Sequence, residues 1–172
     1  THRQSSAASD VYKRQVMKEW AEIMDNLIKA EELAGLCLLS GKKRGFIYGA
    51  DIAEFDELKT KADVHESIEL ADTILSGIEA LDCPTVCGID GVAVGGGLEV
   101  ALAFDRIVVT SSAETKLGFP EIHLGIMPGY GGTGRAMRRI KAKNVLDMVL
   151  SGRLLSADAV SYTHLTLPTI VG

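Results

Sequence analysis

Two carboxylates bracket a glycine-rich stretch. Glu99 lies two residues after Gly95-Gly96-Gly97, and Glu121 follows Pro120. Glycine has no Cβ, so a ligand can come close to its backbone N–H groups. Apolar alternation at Val92 and Val94 precedes the glycines, and a helix-like run (Leu98, Ala101, Leu102) follows them. That places free amides at a helix N-terminus, where negative charge is favoured. An oxyanion hole needs such donors. Two carboxylates can divide acid–base work when their pKa values are pushed apart. The stretch reads as the core of an enzyme acting on an acyl thioester. Glu99 sits among Leu98, Val100, Ala101 and Leu102, where an unpaired acid is costly unless it has a use.

The elements that must position these groups follow from periodicity. Trp20, Ile23, Met24, Leu27 and Ile28 predict a helix over Val16–Leu33, with Trp20 in the core and Gly35 as the stop. Leu36–Leu39 and Phe46–Tyr48 read as short strands around a basic turn, Gly41–Gly45. That turn is a solvated loop or a contact for a substrate phosphate. Gly49-Ala50 at the strand end can turn an N–H into a cleft, and a brief acidic helix runs on to Glu57. Lys59–Val64 reads as a polar connector, and Ser67–Leu81 as an amphipathic helix with Ile68, Ala71, Ile74, Leu75 and Ile78 on one face. Thr85–Ile89, Val92–Val94 and Arg106–Thr110 are strands, with a tight turn at Asp90-Gly91. Lys116–Leu124 reads as loop, Gly131–Ile140 and Asn144–Leu150 as helices, and Ser156 as the N-cap of another. The pattern is α/β with unusually short strands.

Composition excludes several classes. The 172 residues carry 18 basic and 23 acidic side chains, a net charge of −5, which argues against binding a phosphate backbone. No apolar run reaches the ~18–20 residues of a membrane span. Three cysteines (Cys37, Cys83, Cys87) without framework spacing suggest a reducing compartment. Cys83 and Cys87 read as small buried hydrophobes, and no metal site is expected. Gly129–Gly134 fits GxGxxG formally, but it follows Pro128 and lacks the acidic residue a dinucleotide fold expects. It reads as a helix-entry turn.

The ends read differently from the middle. With suitable codons, one DNA strand encodes Ser5–Gln15 and its reverse complement encodes Val160–Thr169. That DNA resembles the transposase end and adapter of short-read sequencing libraries. Residues 1–15 and 160–172 are therefore expected to be translated scars. Residues 16–159 would be a single catalytic domain cut from a longer chain. This predicts low stability for the isolated chain and puts its own turnover in question.

Three ordered blocks carry a family resemblance: GFIYGADIAEF (45–55), DGVAVGGGLEVALAFD (90–105) and LGFPEIHLGIMPGYGGTGR (117–135). They resemble the signature blocks of the crotonase, or enoyl-CoA hydratase, superfamily. The GKKRGFIYGADIAEF version is most similar to the hydratase half of multifunctional fatty-acid oxidation enzymes. The resemblance implies a crotonase-like spiral of ββα units, truncated at both ends. It implies hydration of α,β-unsaturated enoyl-CoA. The amides of Ala50 and Gly96 would form the oxyanion hole, Glu99 would activate water, and Glu121 would protonate the α-carbon. Gly49, Asp51, Ile52, Gly95, Gly97, Pro120 and Gly129 would line the substrate, although Asp51 and Asp105 by themselves read as structural hydrogen-bonders. No metal or redox cofactor is implied; coenzyme A enters as part of the substrate. The parent would be a homo-oligomer or part of a β-oxidation complex, cytoplasmic in a bacterium or in an organellar matrix. Rival readings are an enoyl-CoA isomerase or another crotonase reaction, and a silent acyl-CoA-binding scaffold. Two positions depart from the pattern: Tyr48, where a small residue is common, and Gly134, where glutamine is common.

Overall fold

A computed structural model describes residues 14–30, 32–42, 45–51, 53–54 and 58–162. Short strands leave the chain little room to close one large sheet, and it builds two small ones. In the first, β1 (Leu36–Leu39), β2 (Thr85–Ile89) and β4 (Arg106–Val109) run parallel with β2 central. Leu36 faces Thr85, and Val86 faces Arg106. In the second, β3 (Val92–Val94) pairs parallel with β5 (Lys116–Gly118), which pairs antiparallel with β6 (Leu155–Ser156). Ile47 joins this sheet through one parallel bridge to Ala93.

The Asp90-Gly91 turn sends the chain from the first sheet directly into the second. A helix then returns it. This happens with β2, β3 and α3 (Gly96–Leu102). It happens again with β4, β5 and the helices after them: a 3₁₀ turn (Pro120–Leu124), α4 (Gly132–Met137) and α5 (Ala142–Ser151). The first turn of the spiral is β1, the Ile47 bridge and α2 (Lys61–Glu79). The expected ββα spiral is therefore the fold.

Helix α1 (Arg14–Ile28) lies against α2, with Met17 and Met24 buried and Trp20 packed on the core. It ends before the expected Leu33. Ile28 is already 57% exposed, and the residues after it offer no apolar face to bury. Helix α2 begins at Lys61, where a polar connector was expected. Thr60 Oγ1 accepts from the Asp63 amide, and the Asp63 carboxylate accepts from the Thr60 amide, a complete capping box. Its buried face is Ala71, Ile74, Leu75 and Ile78, while Ile68 lies beyond the core edge and is exposed.

Other local expectations shift in the same way. Phe46–Tyr48 forms only the Ile47 bridge, while Lys116–Gly118, expected as loop, pairs as β5. Ser156 accepts from the Ala159 amide (3.2 Å) at the start of α6 (Ala157–Tyr162), as an N-cap does. Val160 on α6 is buried in the core. Cys87 is buried as expected, but Cys83 is only partly so and Cys37 is exposed. Asp105 takes hydrogen bonds from the amide (2.8 Å) and hydroxyl (2.9 Å) of Thr85, tying β2 to the end of α3.

Candidate active site

The site is built around α3, every residue of which is buried. Its N-cap is Gly95, whose φ of 55° and ψ of −131° suit only glycine. The Gly95 carbonyl accepts from the amides of Leu98 (2.9 Å) and Glu99 (3.0 Å) and so starts the helix. Gly96 and Gly97 are the first two helical residues, whose amides have no acceptor within the helix. Close approach dictates the next glycine. A Cβ on Gly97 would stand 2.1 Å from the Ile47 carbonyl oxygen. That fit presses the Ile47–Ala50 segment against α3. A Cβ on Gly49 would lie 3.5 Å from the Gly96 nitrogen. Ala50 is the next residue and packs against the core.

Glu99 is 2% exposed on the inner face of α3. Its Oε1 accepts from the amides of Tyr130 (2.8 Å) and Gly132 (2.8 Å). Both bonds fall on Oε1, and no described residue bonds Oε2. Burial pushes the Glu99 carboxyl up to about 7. The two amides pull against that shift, the charge of Glu121 adds to it, and Arg135 opposes it. Gly132 is close because it must be: a Cβ there would lie 2.5 Å from Glu99 Cγ.

Glu121 is supplied by a different element. Pro120 opens the 3₁₀ turn and sets Glu121 in its first residues. The carboxylate rests on Gly95, where an added Cβ would be 3.0 Å from Oε1. Its Oε2 is buried and has no hydrogen-bond partner among the described residues. Burial raises its pKa as well. Two carboxyls that both resist ionisation, one gripped by two amides and one with a buried, unbonded oxygen, therefore lie close enough to feel each other's charge. Such a pair can hold and pass protons around one small molecule.

The structure brings together Gly49, Gly95, Gly96, Gly97, Glu99, Pro120 and Glu121 of the residues singled out from the sequence, with Ala50 next to Gly49 in the chain. Asp51 is turned to a local task, accepting from the Ala53 amide (3.1 Å). Gly129 is exposed in the loop before Tyr130. Ile52 lies outside the described residues, as do Lys43 and Arg44 of the basic turn. Lys42 lines a separate cleft of about 530 Å³ at the ends of β1, β2 and β4. Tyr48, a departure from the family pattern, is 40% exposed and lies over Gly45 instead of entering the core. Sequence reasoning missed the Tyr130 and Gly132 amides. The Gly129–Gly134 run was the available signal, since its glycines admit close backbone approach to the α3 carboxylate.

Residues 8–163 match the enoyl-CoA hydratase/isomerase family. The fatty acid oxidation complex subunit alpha of Shewanella baltica is 40% identical over 141 residues, covering 82% of this chain and 20% of that protein. That of Shewanella oneidensis is 39% identical over 135 residues, covering 78% and 19%. The chain thus spans about a fifth of the length of these curated relatives. A crystal structure of an enoyl-CoA hydratase from Bacillus anthracis superposes with a TM-score of 0.82 at 27% identity, covering 91% of this chain and 59% of that one. Pseudomonas aeruginosa DspI shares the fold (TM-score 0.85) at 22% identity, covering 94% and 60%. With its ββα spiral, the chain belongs to the enoyl-CoA hydratase/isomerase family.

Proposed function

We propose that residues 16–159 are the native part of a hydratase domain that adds water to α,β-unsaturated enoyl-CoA, giving 3-hydroxyacyl-CoA in fatty-acid oxidation. The observation that carries this reading is the pair of buried carboxyls, Glu99 held by the Tyr130 and Gly132 amides and Glu121 resting on Gly95, next to the Gly96 amide at the start of α3. The amides of Ala50 and Gly96 take the thioester oxygen and hold the negative charge that develops on it. Loss of one such donor typically costs about 3 kcal/mol. Ionised Glu99 draws a proton from water as its oxygen bonds to the β-carbon, and Glu121 delivers a proton to the α-carbon. Water's O–H divides between the two carbons, so nothing is oxidised or reduced, and neither a redox cofactor nor a metal is required. Coenzyme A is part of the substrate. Gly49, Gly95, Gly97 and Pro120 shape the path to the reacting carbons.

The relatives are named as subunits of a fatty acid oxidation complex. Membership of such a complex, or of a homo-oligomer, extends the proposal to the parent protein, and its bacterial relatives support a cytoplasmic setting. Among the described residues no helix is long and apolar enough to cross a membrane.

The test is turnover of a short enoyl-CoA by the parent protein, followed by loss of the conjugated thioester absorbance. Hydration supports the reading. Conversion of a β,γ-enoyl-CoA without hydration would replace it with isomerisation. Binding of acyl-CoA without either reaction would point to a silent scaffold. The presence of two carboxylates instead of one favours hydration over isomerisation.

A further inference from the structure

One buried charge has no part in the proposed chemistry. Arg135, on α4, is 6% exposed. Its Nη1 donates to the Tyr130 carbonyl at 2.6 Å, and its Nη2 to Glu79 Oε2 at 3.0 Å. Glu79, at the end of α2, also takes a hydrogen bond from Arg138 (2.6 Å) and so fixes α4 from outside. Nε of Arg135 is buried with no partner among the described residues. A buried guanidinium that is not fully satisfied is a poor device for stability; an apolar side chain of its size would serve better. What the guanidinium does hold is the far side of the peptide segment that grips Glu99. Tyr130 gives its carbonyl to Arg135 and its amide to Glu99, and Gly132 adds the second amide.

We propose that Arg135 is the positioning residue of Glu99: it fixes the Tyr130–Gly132 segment so that both amides hold Oε1, leaving Oε2 turned to substrate. The inference rests on the hydratase reading for its catalytic consequence, though not for its geometry. The charged groups that face Glu99 are Glu121, from the 3₁₀ turn, and Arg135 itself. Arg139 supplies the contrast. One helical turn further along, its Nη2 bonds the carbonyls of Leu102 (3.2 Å) and Phe104 at the C-terminus of α3, away from Glu99. Arg139 braces the end of α3, while Arg135 braces the segment that holds its carboxylate.

The experiment follows the Glu99 carboxyl by carbon NMR in the parent protein, its signal assigned by loss in Glu99→Gln. Arg135→Met, Arg135→Gln and Arg135→Lys are compared with Arg139→Lys. Removing the positive charge and loosening the amides both favour the protonated acid. Met and Gln should therefore raise the titration of Glu99 by up to about one pH unit, with Lys, which keeps the charge and loses the fork, raising it less. In the hydration assay kcat should fall about tenfold in Arg135→Met with KM little changed, and its acid limb should move to higher pH. Arg139→Lys should lower the melting temperature and leave the Glu99 titration where it was. If Met does not fold, Gln and Lys carry the comparison. An unmoved Glu99 titration in the folded Arg135 variants overturns the proposal, as does an equal shift in Arg139→Lys. Should the unaltered protein fail to hydrate enoyl-CoA, the hydratase reading falls while the titration still decides the role of Arg135.

Discussion

Glu99 and Glu121 feel each other's charge but are held by opposite means. Glu99 is on a wholly buried helix, its Oε1 gripped by two amides that belong to a third segment. Glu121 is on a five-residue 3₁₀ turn of which no residue is fully buried, and its Oε2 has no described partner. The first carboxylate is set by the fold's interior and the second by one proline and one glycine. Both are pushed toward the protonated form by burial, yet only Glu99 has amides from another segment that offset it. A pair so arranged can differ in proton affinity without any metal or charge relay. The contrast also divides the glycines, since Gly132 is packed on Glu99 and Gly95 on Glu121.

Filling the wall behind Glu99 should have the largest effect. In Gly132→Ala the new methyl meets Glu99 Cγ at 2.5 Å and Phe119 Cε1 at 2.9 Å, both buried. The roughly 1 kcal/mol that alanine gains over glycine in a helix cannot offset that clash, and a net loss of about 3 kcal/mol is expected in urea unfolding. A loss near zero would mean that Glu99 is held less firmly than its amide bonds suggest.

The charge of Glu99 should cost nearly as much. Its folded pKa lies at about 7 against an ordinary 4.5. The folded state therefore keeps its proton longer than the unfolded chain does. That contribution is fully present below pH 4.5 and is lost as pH rises through 7, a fall of about 3 kcal/mol. Glu99→Gln cannot ionise and should be more stable than the unaltered protein at pH 8, with the gap closing by pH 5. Glu121, raised in the same direction, leaves a smaller dependence of the same sign. Parallel pH curves for the two proteins would sink this account of Glu99.

On the Glu121 side the effect should be smaller and of a different kind. Gly95→Ala forces alanine to a φ of 55°, but the new methyl meets only the end of the Glu121 side chain. About 2 kcal/mol of strain is expected, with the carboxylate displaced and turnover reduced beyond what the stability loss explains. Normal kcat in a folded Gly95→Ala protein would show that Glu121 does not need its seat on Gly95. Smallest and remote from both sites is Thr60→Ala, which removes the cap of α2. It should cost about 1 kcal/mol in thermal unfolding and leave activity unchanged.

The sequence made one of these regions far easier to read than the other. The triple glycine, the apolar helix behind it and the two glutamates are local signals, and the helix stands where they put it. The element that completes the Glu99 site is not local. Tyr130 and Gly132 lie 31 and 33 positions away and act through backbone amides, which carry no side-chain signature. Arg135 lies three residues from Arg138 in the sequence, and only its burial sets it apart. Strand β5 was hidden because Lys116–Gly118 is too short for alternation to register. The early start of α2 was legible, since Thr60 and Asp63 have capping-box spacing, but the polar composition around them outweighed it.

The central claim is that both carboxylates work on one water. The direct measurement is hydration of a short enoyl-CoA by the parent protein, by Glu99→Gln, by Glu121→Gln and by the double variant. Groups acting as a unit are not additive: each single change should lower kcat by about a hundredfold or more, and the double change little further. Near-normal turnover in either single variant, or losses that simply multiply in the double, would contradict it.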